Sequence, residues 1–194
     1  MYQPNDKFAR QAKDLGYLAR SVFKLQEIDR KFGVFRPNMK ILDLGAAPGS
    51  WLQYLSRKIG SGGRAYGVDL TEIKNLKLGN IKTFAVDAFN EEFFFKNFLN
   101  IEFDAVISDM APSTSGVKFA DAALSLELLD RAFGIAQKYL KAGGWFIGKV
   151  FESHELNLWF TRLRKHFQSV RRFKPKACRE ESKELYVIGQ GFKK

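Results

Sequence analysis

The chain has 194 residues, 45% of them apolar and 27% charged, enough for one continuous hydrophobic core; its single cysteine, Cys178, closes no internal disulfide and builds no multi-cysteine zinc site. Lysine and arginine total 32 against 21 aspartates and glutamates, a net charge of +11 with an isoelectric point near 9.7, which is the electrostatic footprint of a nucleic-acid binder. No apolar run approaches the roughly 18 residues of a membrane span, and Met1-Tyr-Gln-Pro-Asn-Asp-Lys7 lacks the apolar stretch of a secretory signal, so a cytoplasmic chain is expected, with an organelle as the alternative.

The basic residues concentrate in two blocks. In the first 31 residues Lys7, Arg10, Lys13, Arg20, Lys24, Arg30 and Lys31 outnumber Asp6, Asp14, Glu27 and Asp29. Arg162, Arg164, Lys165, Arg171, Arg172, Lys174, Lys176 and Arg179 form the second block. Folded together, the two would make one patch for a phosphate backbone; apart, each is an ordinary solvated face. Residues 1–33 read as a basic helical segment. Within it Leu18, Val22, Leu25, Ile28 and Phe32 recur at helical spacing over Tyr17–Phe32, with Arg20, Lys24 and Lys31 on the adjoining stripe.

From Lys40 the pattern becomes strands alternating with helices. Strands are expected at Lys40–Leu44, Ala65–Asp69, Thr83–Asp87, Phe103–Asp109 and Trp145–Phe151. Helices are expected near Ser50–Ile59, at about Ala120–Leu140 with a stop at Gly143-Gly144, and near Glu155–His166. Two further strands, Gln168–Phe173 and Glu184–Gly189, have no helix between them, and parallel neighbours need a longer crossover, so this pair should be antiparallel. The whole predicts an α/β fold: a doubly wound, mostly parallel seven-stranded sheet with helices on both faces and a last antiparallel strand, in a single domain over 1–194.

Four acidic residues fall at strand carboxyl ends: Asp43 just inside the first, then Asp69, Asp87 and Asp109. Doubly wound sheets bind ligands in the crevice outside those ends, although one such aspartate alone is more often a cap or turn residue. The loop Asp43-Leu-Gly45-Ala-Ala-Pro-Gly49-Ser-Trp51 is not the G-x-G-x-x-G of dinucleotide sites, and Pro48 removes one backbone donor from any phosphate cradle. Asp69 would accept the hydroxyls of an adenosine ribose. A ribose carboxylate without a pyrophosphate nest points to an adenosine ligand lacking phosphates, and S-adenosylmethionine fits, its cations favouring the acidic strand ends. A Rossmann-like class I methyltransferase domain follows as the expectation. Asparagine-proline-proline-aromatic, the mark of a base-amine methyltransferase, is absent at Asp109-Met-Ala-Pro112.

Asp43-Leu-Gly-Ala-Ala-Pro-Gly-Ser-Trp51 and Ser108-Asp-Met-Ala-Pro-Ser113, with Ser21–Glu27, Gly148-Lys-Val-Phe151 and Lys174–Glu184, occur in order from about Ala19 to Gly189. In these segments the chain resembles the FtsJ-type RNA ribose 2′-O-methyltransferases, the heat-shock ribosomal-RNA group. The resemblance implies a catalytic tetrad at Lys24, Asp109, Lys149 and Glu184, and cofactor contacts at Gly49, Trp51, Asp69, Asp87 and Asp109, beside Asp43 and Gly45 of the loop reading. It implies methylation of a uridine ribose in large-subunit ribosomal RNA, within an assembled subunit, by a monomer that needs no metal and no membrane. Cys178 departs from the family's usual serine ahead of Arg179. Transfer RNA as substrate, a non-catalytic RNA-binding protein of the same fold and a nicotinamide oxidoreductase are the alternatives. Lys149 stands as a general base or a positioning cation: Lys24 would lower its pKa, while Asp109 and Glu184 would raise it.

Taken singly, these residues have plainer readings. Lys24 reads as a solvated helix lysine and Glu184 as a strand-edge charge, whereas Lys149, inside an apolar strand, is harder to explain without a partner. Trp51, Trp145, Trp159 and Phe93-Phe-Phe95 read as packing, and His154 and His166 lack metal-ligand spacing.

Overall fold

The computed structural model describes residues 7–74, 76–113, 115–179 and 181–194. Residues 1–6, which hold Asp6 and all of the segment read for a leader but Lys7, lie outside the described residues, as does Glu180 of the Lys174–Glu184 motif. Seven strands form one sheet: β1 (Lys40–Leu44), β2 (Arg64–Asp69), β3 (Ile81–Ala85), β4 (Phe103–Ser108), β5 (Leu140–Phe151), β6 (Phe167–Phe173) and β7 (Glu184–Phe192), in the order β3-β2-β1-β4-β5-β7-β6. β3, β2, β1, β4 and β5 run parallel, and β7 is antiparallel to both β5 and β6. Strand order reverses between β1 and β4, the place where such sheets open a ligand crevice.

Side-chain alternation along the strands explains why both faces are covered. In β4, Val106 points to one face, while Ala105 and Ile107 point to the other. The first face packs against α4 (Glu91–Phe98), α5 (Lys118–Tyr139) and α6 (Leu156–Arg164) through Phe94, Phe98, Phe133 and Trp159. The second packs against α2 (Val22–Phe32) and α3 (Ser50–Ile59) through Leu25, Ile28, Leu52 and Leu55. Phe98 is fully buried and meets Tyr66, Phe84, Phe93, Phe103 and Tyr139 edge-on. Edge contacts of this kind contribute about 0.5–1.5 kcal/mol each beyond the area they bury.

The differences from the sequence reading have local causes. Helix α2 begins at Val22, not Tyr17. Gly16 adopts φ 73°, and the Gln53 side chain holds the turn by accepting from Leu18 N (2.9 Å) and donating to Gly16 O (3.0 Å), so Leu18 stays half-exposed. A separate helix, α1 (Lys7–Asp14), precedes it and buries Ala12 with Val22 and Phe23. Helix α5 ends at Tyr139 and β5 begins at once, so Gly143-Gly144 lies inside the strand, where the β4–β5 register slips between Phe103 and Ala105. Helix α4 was not anticipated, although its start is written in the chain. Asn90 accepts the Phe93 N–H at 2.9 Å as an N-cap, and Glu91 and Glu92 complement the positive end of the helix. Of the three phenylalanines there, Phe94 is buried and Phe95 faces solvent. Strand β3 ends at Ala85, which leaves Asp87 two residues beyond it.

Candidate active site

At the switch point the loops after β1, β2, β3 and β4 enclose a cavity of about 370 Å³, lined by Gly45, Ala47, Asp69, Asp87, Asp109 and Met110 among others. The β1 loop is fixed by backbone bonds: Gly45 N and Ala46 N donate to Val68 O (2.8 and 3.2 Å), and Asp109 N donates to Leu44 O (3.0 Å). Gly45 has φ 75°, and a Cβ on it would stand 2.7 Å from Met110 N, so only glycine lets these two loops meet. Asp69 accepts Ala47 N at 2.9 Å through one oxygen and Thr71 N at 2.8 Å through the other, holding both loop tips. Asp87 similarly accepts Phe89 N at 2.9 Å.

Asp43 lies beneath this cavity. It is fully buried, and neither carboxyl oxygen has a hydrogen-bond partner among the described residues. Burial, then the neighbouring Asp109 and Asp69 charges, push its pKa well above the ordinary aspartate range. The unfolded chain ionises Asp43 near pH 4 and the folded chain at higher pH, so over the interval between the two the group binds more protons folded than unfolded and its contribution to stability falls as pH rises. Asp43→Asn removes that dependence. In the ligand-free protein, the stability of the variant minus that of the wild type should grow as pH rises above the ordinary aspartate range, read from denaturant titrations at a series of pH values. A constant difference would show Asp43 ionised throughout.

Of the remaining residues read as cofactor contacts, Gly49 and Trp51 do not line the cavity. Gly49, at φ 109°, precedes α3 beside Ile73 and Leu76. Trp51 is buried, its indole N–H donating to Ser21 O at 2.9 Å and its ring packed on Tyr186.

Lys24, Asp109, Lys149 and Glu184 meet at the neighbouring rim. Asp109 follows β4, whose Ser108 pairs with Gly148, so Lys149 of β5 falls next to it. Lys149 is buried, with Nζ 3.0 Å from Asp109 Oδ1, and it also donates to the Asp109 carbonyl. Antiparallel pairing sets Tyr186 of β7 opposite Lys149, and its hydroxyl donates to the same Asp109 Oδ1 at 2.7 Å. Two residues earlier on that strand, Glu184 lies 2.5 Å from Lys24 Nζ. Burial pulls the Lys24 pKa down, but the Asp109 and Glu184 charges outweigh it and hold it above the usual lysine value. Burial pushes the Glu184 carboxyl up, yet Lys24, a Cys178 hydrogen bond and Lys149 bring it below its ordinary range. This pair is therefore ionised at neutral pH, which makes Lys24 a fixed cation. The Cys178 thiol, pushed up to about 12 by burial and by Glu184, stays protonated and donates to that carboxylate, as a serine hydroxyl would.

Tyr186 was not singled out from sequence. Its signal was strand period alone, since Glu184 and Tyr186 must project to one side.

A basic pocket of about 460 Å³ opens beside the rim, lined by Arg20, Ser21, Lys24, Arg179, Glu181, Ser182 and Glu184. It joins parts of both basic blocks because Glu27 of α2 accepts the backbone N–H groups of Lys176 (2.8 Å) and Ala177 (2.9 Å). The blocks also touch through rings: Lys31 lies over Phe173 and Arg171 over Phe32. Arg162 and Arg172 point elsewhere, to Asp130 and to the Phe160 ring.

A family model described as FtsJ-like methyltransferase matches residues 17–192. Ribosomal RNA large subunit methyltransferase E of Bdellovibrio bacteriovorus is 41% identical over 191 residues, 97% of each chain. The protein of the same name from Treponema denticola is 40% identical over 197 aligned positions, 99% of this chain and 97% of its own. A Plasmodium falciparum protein provisionally designated a ribosomal RNA methyltransferase superposes with TM-score 0.79 at 25% identity, over 91% of this chain and 98% of its own. Aeropyrum pernix fibrillarin, solved with natively bound S-adenosyl-L-methionine, shares the fold at TM-score 0.58 and 16% identity, over 87% of this chain and 76% of its own. With the match spanning nearly the full length and the sheet, crevice and rim in place, the chain belongs to the FtsJ-like methyltransferase family.

Proposed function

We propose that the protein transfers the methyl group of S-adenosylmethionine to the 2′-oxygen of a ribose in large-subunit ribosomal RNA. One observation carries the reading: two lysine–carboxylate pairs, Lys149–Asp109 and Lys24–Glu184, stand at one rim between an acidic crevice and a basic pocket. The names of the relatives support ribosomal RNA as the substrate. Monomeric action on an assembled large subunit in the cytoplasm, by one domain spanning the chain, belongs to the same proposal. Among the described residues no helix is long and apolar enough to cross a membrane.

The crevice suits the methyl donor. Asp43 is a buried carboxyl with no hydrogen-bond partner among the described residues, Gly45 leaves a cradle that a Cβ would fill, and Asp69, Asp87 and Asp109 line the space with acceptors for an ammonium, a sulfonium and ribose hydroxyls. Asp43, Gly45, Asp69, Asp87 and Asp109 would hold it, with the backbone around Gly49 and Trp51 shaping the entry to α3. When bound it supplies an electrophilic methyl group on a positively charged sulfur.

The chain's own residues do the rest. Arg20 and Arg179 in the basic pocket attract the phosphates that flank the target nucleotide. Lys149 contacts the 2′-hydroxyl and is held by Asp109, which the Tyr186 hydroxyl fixes in turn, so that the oxygen lines up with the methyl carbon; the hydroxyl proton passes to Lys149 where it acts as a base, and to solvent where it only positions. Lys24 and Glu184 close the other side of the rim as a charged pair that lends field and position rather than taking a proton. Alignment of this sort accounts for up to about 7–11 kcal/mol of barrier in favourable cases.

Labelled S-adenosylmethionine offered in parallel with assembled large subunits, protein-free ribosomal RNA and transfer RNA tests the reading. Label should enter large-subunit RNA, most efficiently in the subunit. Label in transfer RNA alone would replace the substrate assignment. No label in any RNA, together with no thermal stabilisation by the cofactor, would remove the enzymatic reading.

A further inference from the structure

A second groove, unrelated to the rim, runs between α5 and α6. Its volume is about 350 Å³. Phe119, Leu126 and Trp159 supply an apolar floor, and Glu127, Asp130 and Glu155 stand on its edge, with Arg162 as the one cation of the lining among the described residues. Phe119 is 75% exposed, so its ring is open to a partner.

The charge here is opposite to that of the molecule. Asp130 is matched by Arg162 and also accepts the Trp159 indole N–H at 3.0 Å. Glu127 and Glu155 form no ion pair with a lysine or arginine among the described residues. Glu155 is held ionised by bonds from its own backbone N–H and the Ser153 side chain. In a chain of net charge +11 this is a local negative edge around an aromatic floor, and it repels the phosphates that the basic pocket attracts.

We infer that the α5–α6 groove is a docking site for a cationic polypeptide segment, which seats an apolar side chain on Phe119, Leu126 and Trp159 and sets flanking lysines or arginines against Glu127 and Glu155. Charge complementarity selects this occupant, since nucleic acid is excluded by sign and an acidic or neutral segment would leave the carboxylates unmatched. The stripe from Phe119 to Asp130 covers about 16 Å of helix, the span of about five residues of extended chain. Basic segments of this kind accompany RNA in ribonucleoprotein particles, so the site would add a protein contact to an RNA contact on one substrate. Phosphate recognition and polypeptide recognition would then occupy different sides of the molecule.

The test uses the full chain and a fluorescein-labelled twelve-residue peptide of four Lys-Lys-Leu repeats, followed by anisotropy at physiological salt. Controls are the Glu-Glu-Leu peptide and a Lys-Lys-Gly peptide that keeps the charge without the anchor. The Lys-Lys-Leu peptide should bind at least about tenfold more tightly than either. The double variant Glu127→Lys with Glu155→Lys should weaken it about tenfold or more, and Phe119→Ser about fivefold. Glu72→Lys with Glu92→Lys makes the same change of net charge on exposed sites elsewhere and should have little effect. Equal weakening by both double variants would reduce the attraction to overall charge and overturn the site. Self-association of the wild type that Phe119→Ser abolishes, seen by sedimentation, would assign the groove to a second copy of the chain instead. The binding readout needs no methyl transfer, so a negative result leaves the proposed function standing, and failure of methyl transfer leaves the groove standing.

Discussion

Replacing Lys149 by methionine is expected to lower kcat by about 10²–10⁴-fold, the range associated with losing a positioned proton-transfer or orienting group, while S-adenosylmethionine binding stays within a few-fold. The reason for the split is geometric. Lys149 Nζ contacts Asp109 at the rim and is not among the groups lining the crevice. Methionine fills most of the same volume, so the strand should persist. Removing the ammonium does leave Asp109 with Tyr186 as its one hydrogen-bonding side chain among the described residues, and some loss of stability is expected from a half-buried carboxylate without its cation. Single-turnover methylation with saturating cofactor, beside a thermal-shift titration, separates the two effects. Lys149→Arg then reads the role of the lysine. Arginine keeps the charge but cannot release a proton near neutrality, so substantial residual activity marks a positioning cation and near-complete loss marks a base.

The second large effect is expected at Gly45→Val. Left-handed backbone costs an ordinary residue about 1–2 kcal/mol, and more for a β-branched one. In addition, the new Cβ would stand 2.7 Å from a backbone nitrogen, Met110 N, which cannot swing aside like a side-chain tip. The β1 and β4 loops must separate, and with them the bond between Asp109 N and Leu44 O. Cofactor-dependent stabilisation should fall by about 100-fold in apparent affinity, which is about 2.8 kcal/mol. Gly33→Ala is the control: Gly33 has φ 64° with nothing within 4 Å of its would-be Cβ, so it meets the conformational cost alone and should leave cofactor binding intact. Equal loss of binding in both variants would mean that the clash with Met110 is irrelevant.

Much of this arrangement could be read from the residues because it follows from local periodicity. Short apolar runs ending in Asp43, Asp69, Asp87 and Asp109 fix both the strands and the end of the sheet at which ligands gather. The lack of a helix between Phe173 and Glu184 was enough to make β6 and β7 antiparallel, and the structure adds that β7 inserts beside β5. That insertion is not a local property. It alone brings Glu184 and Tyr186 to Lys149, and the ion pair to Lys24 then spans 160 positions (184 − 24). Spacing could not show that pairing; it came from the resemblance to a family, whose motif order carries the topology. Where the Trp51 side chain packs was equally non-local, since its indole N–H bonds Ser21 O, 30 positions away in the chain. Helix α4 is less legible, since three adjacent phenylalanines, Phe93 to Phe95, blur any amphipathic stripe, although Asn90 marks its start as a cap.

The chemistry assigned to the rim is tested most directly by where the methyl group ends up. Large-subunit RNA labelled by the protein with S-adenosylmethionine is digested in alkali, which cleaves only where a free 2′-hydroxyl remains. Label recovered in alkali-stable dinucleotides, and absent when Lys149→Met replaces the wild type, is the predicted result. Label recovered in mononucleotides would place the methyl on a base and contradict a ribose-directed centre built from Lys24, Asp109, Lys149 and Glu184.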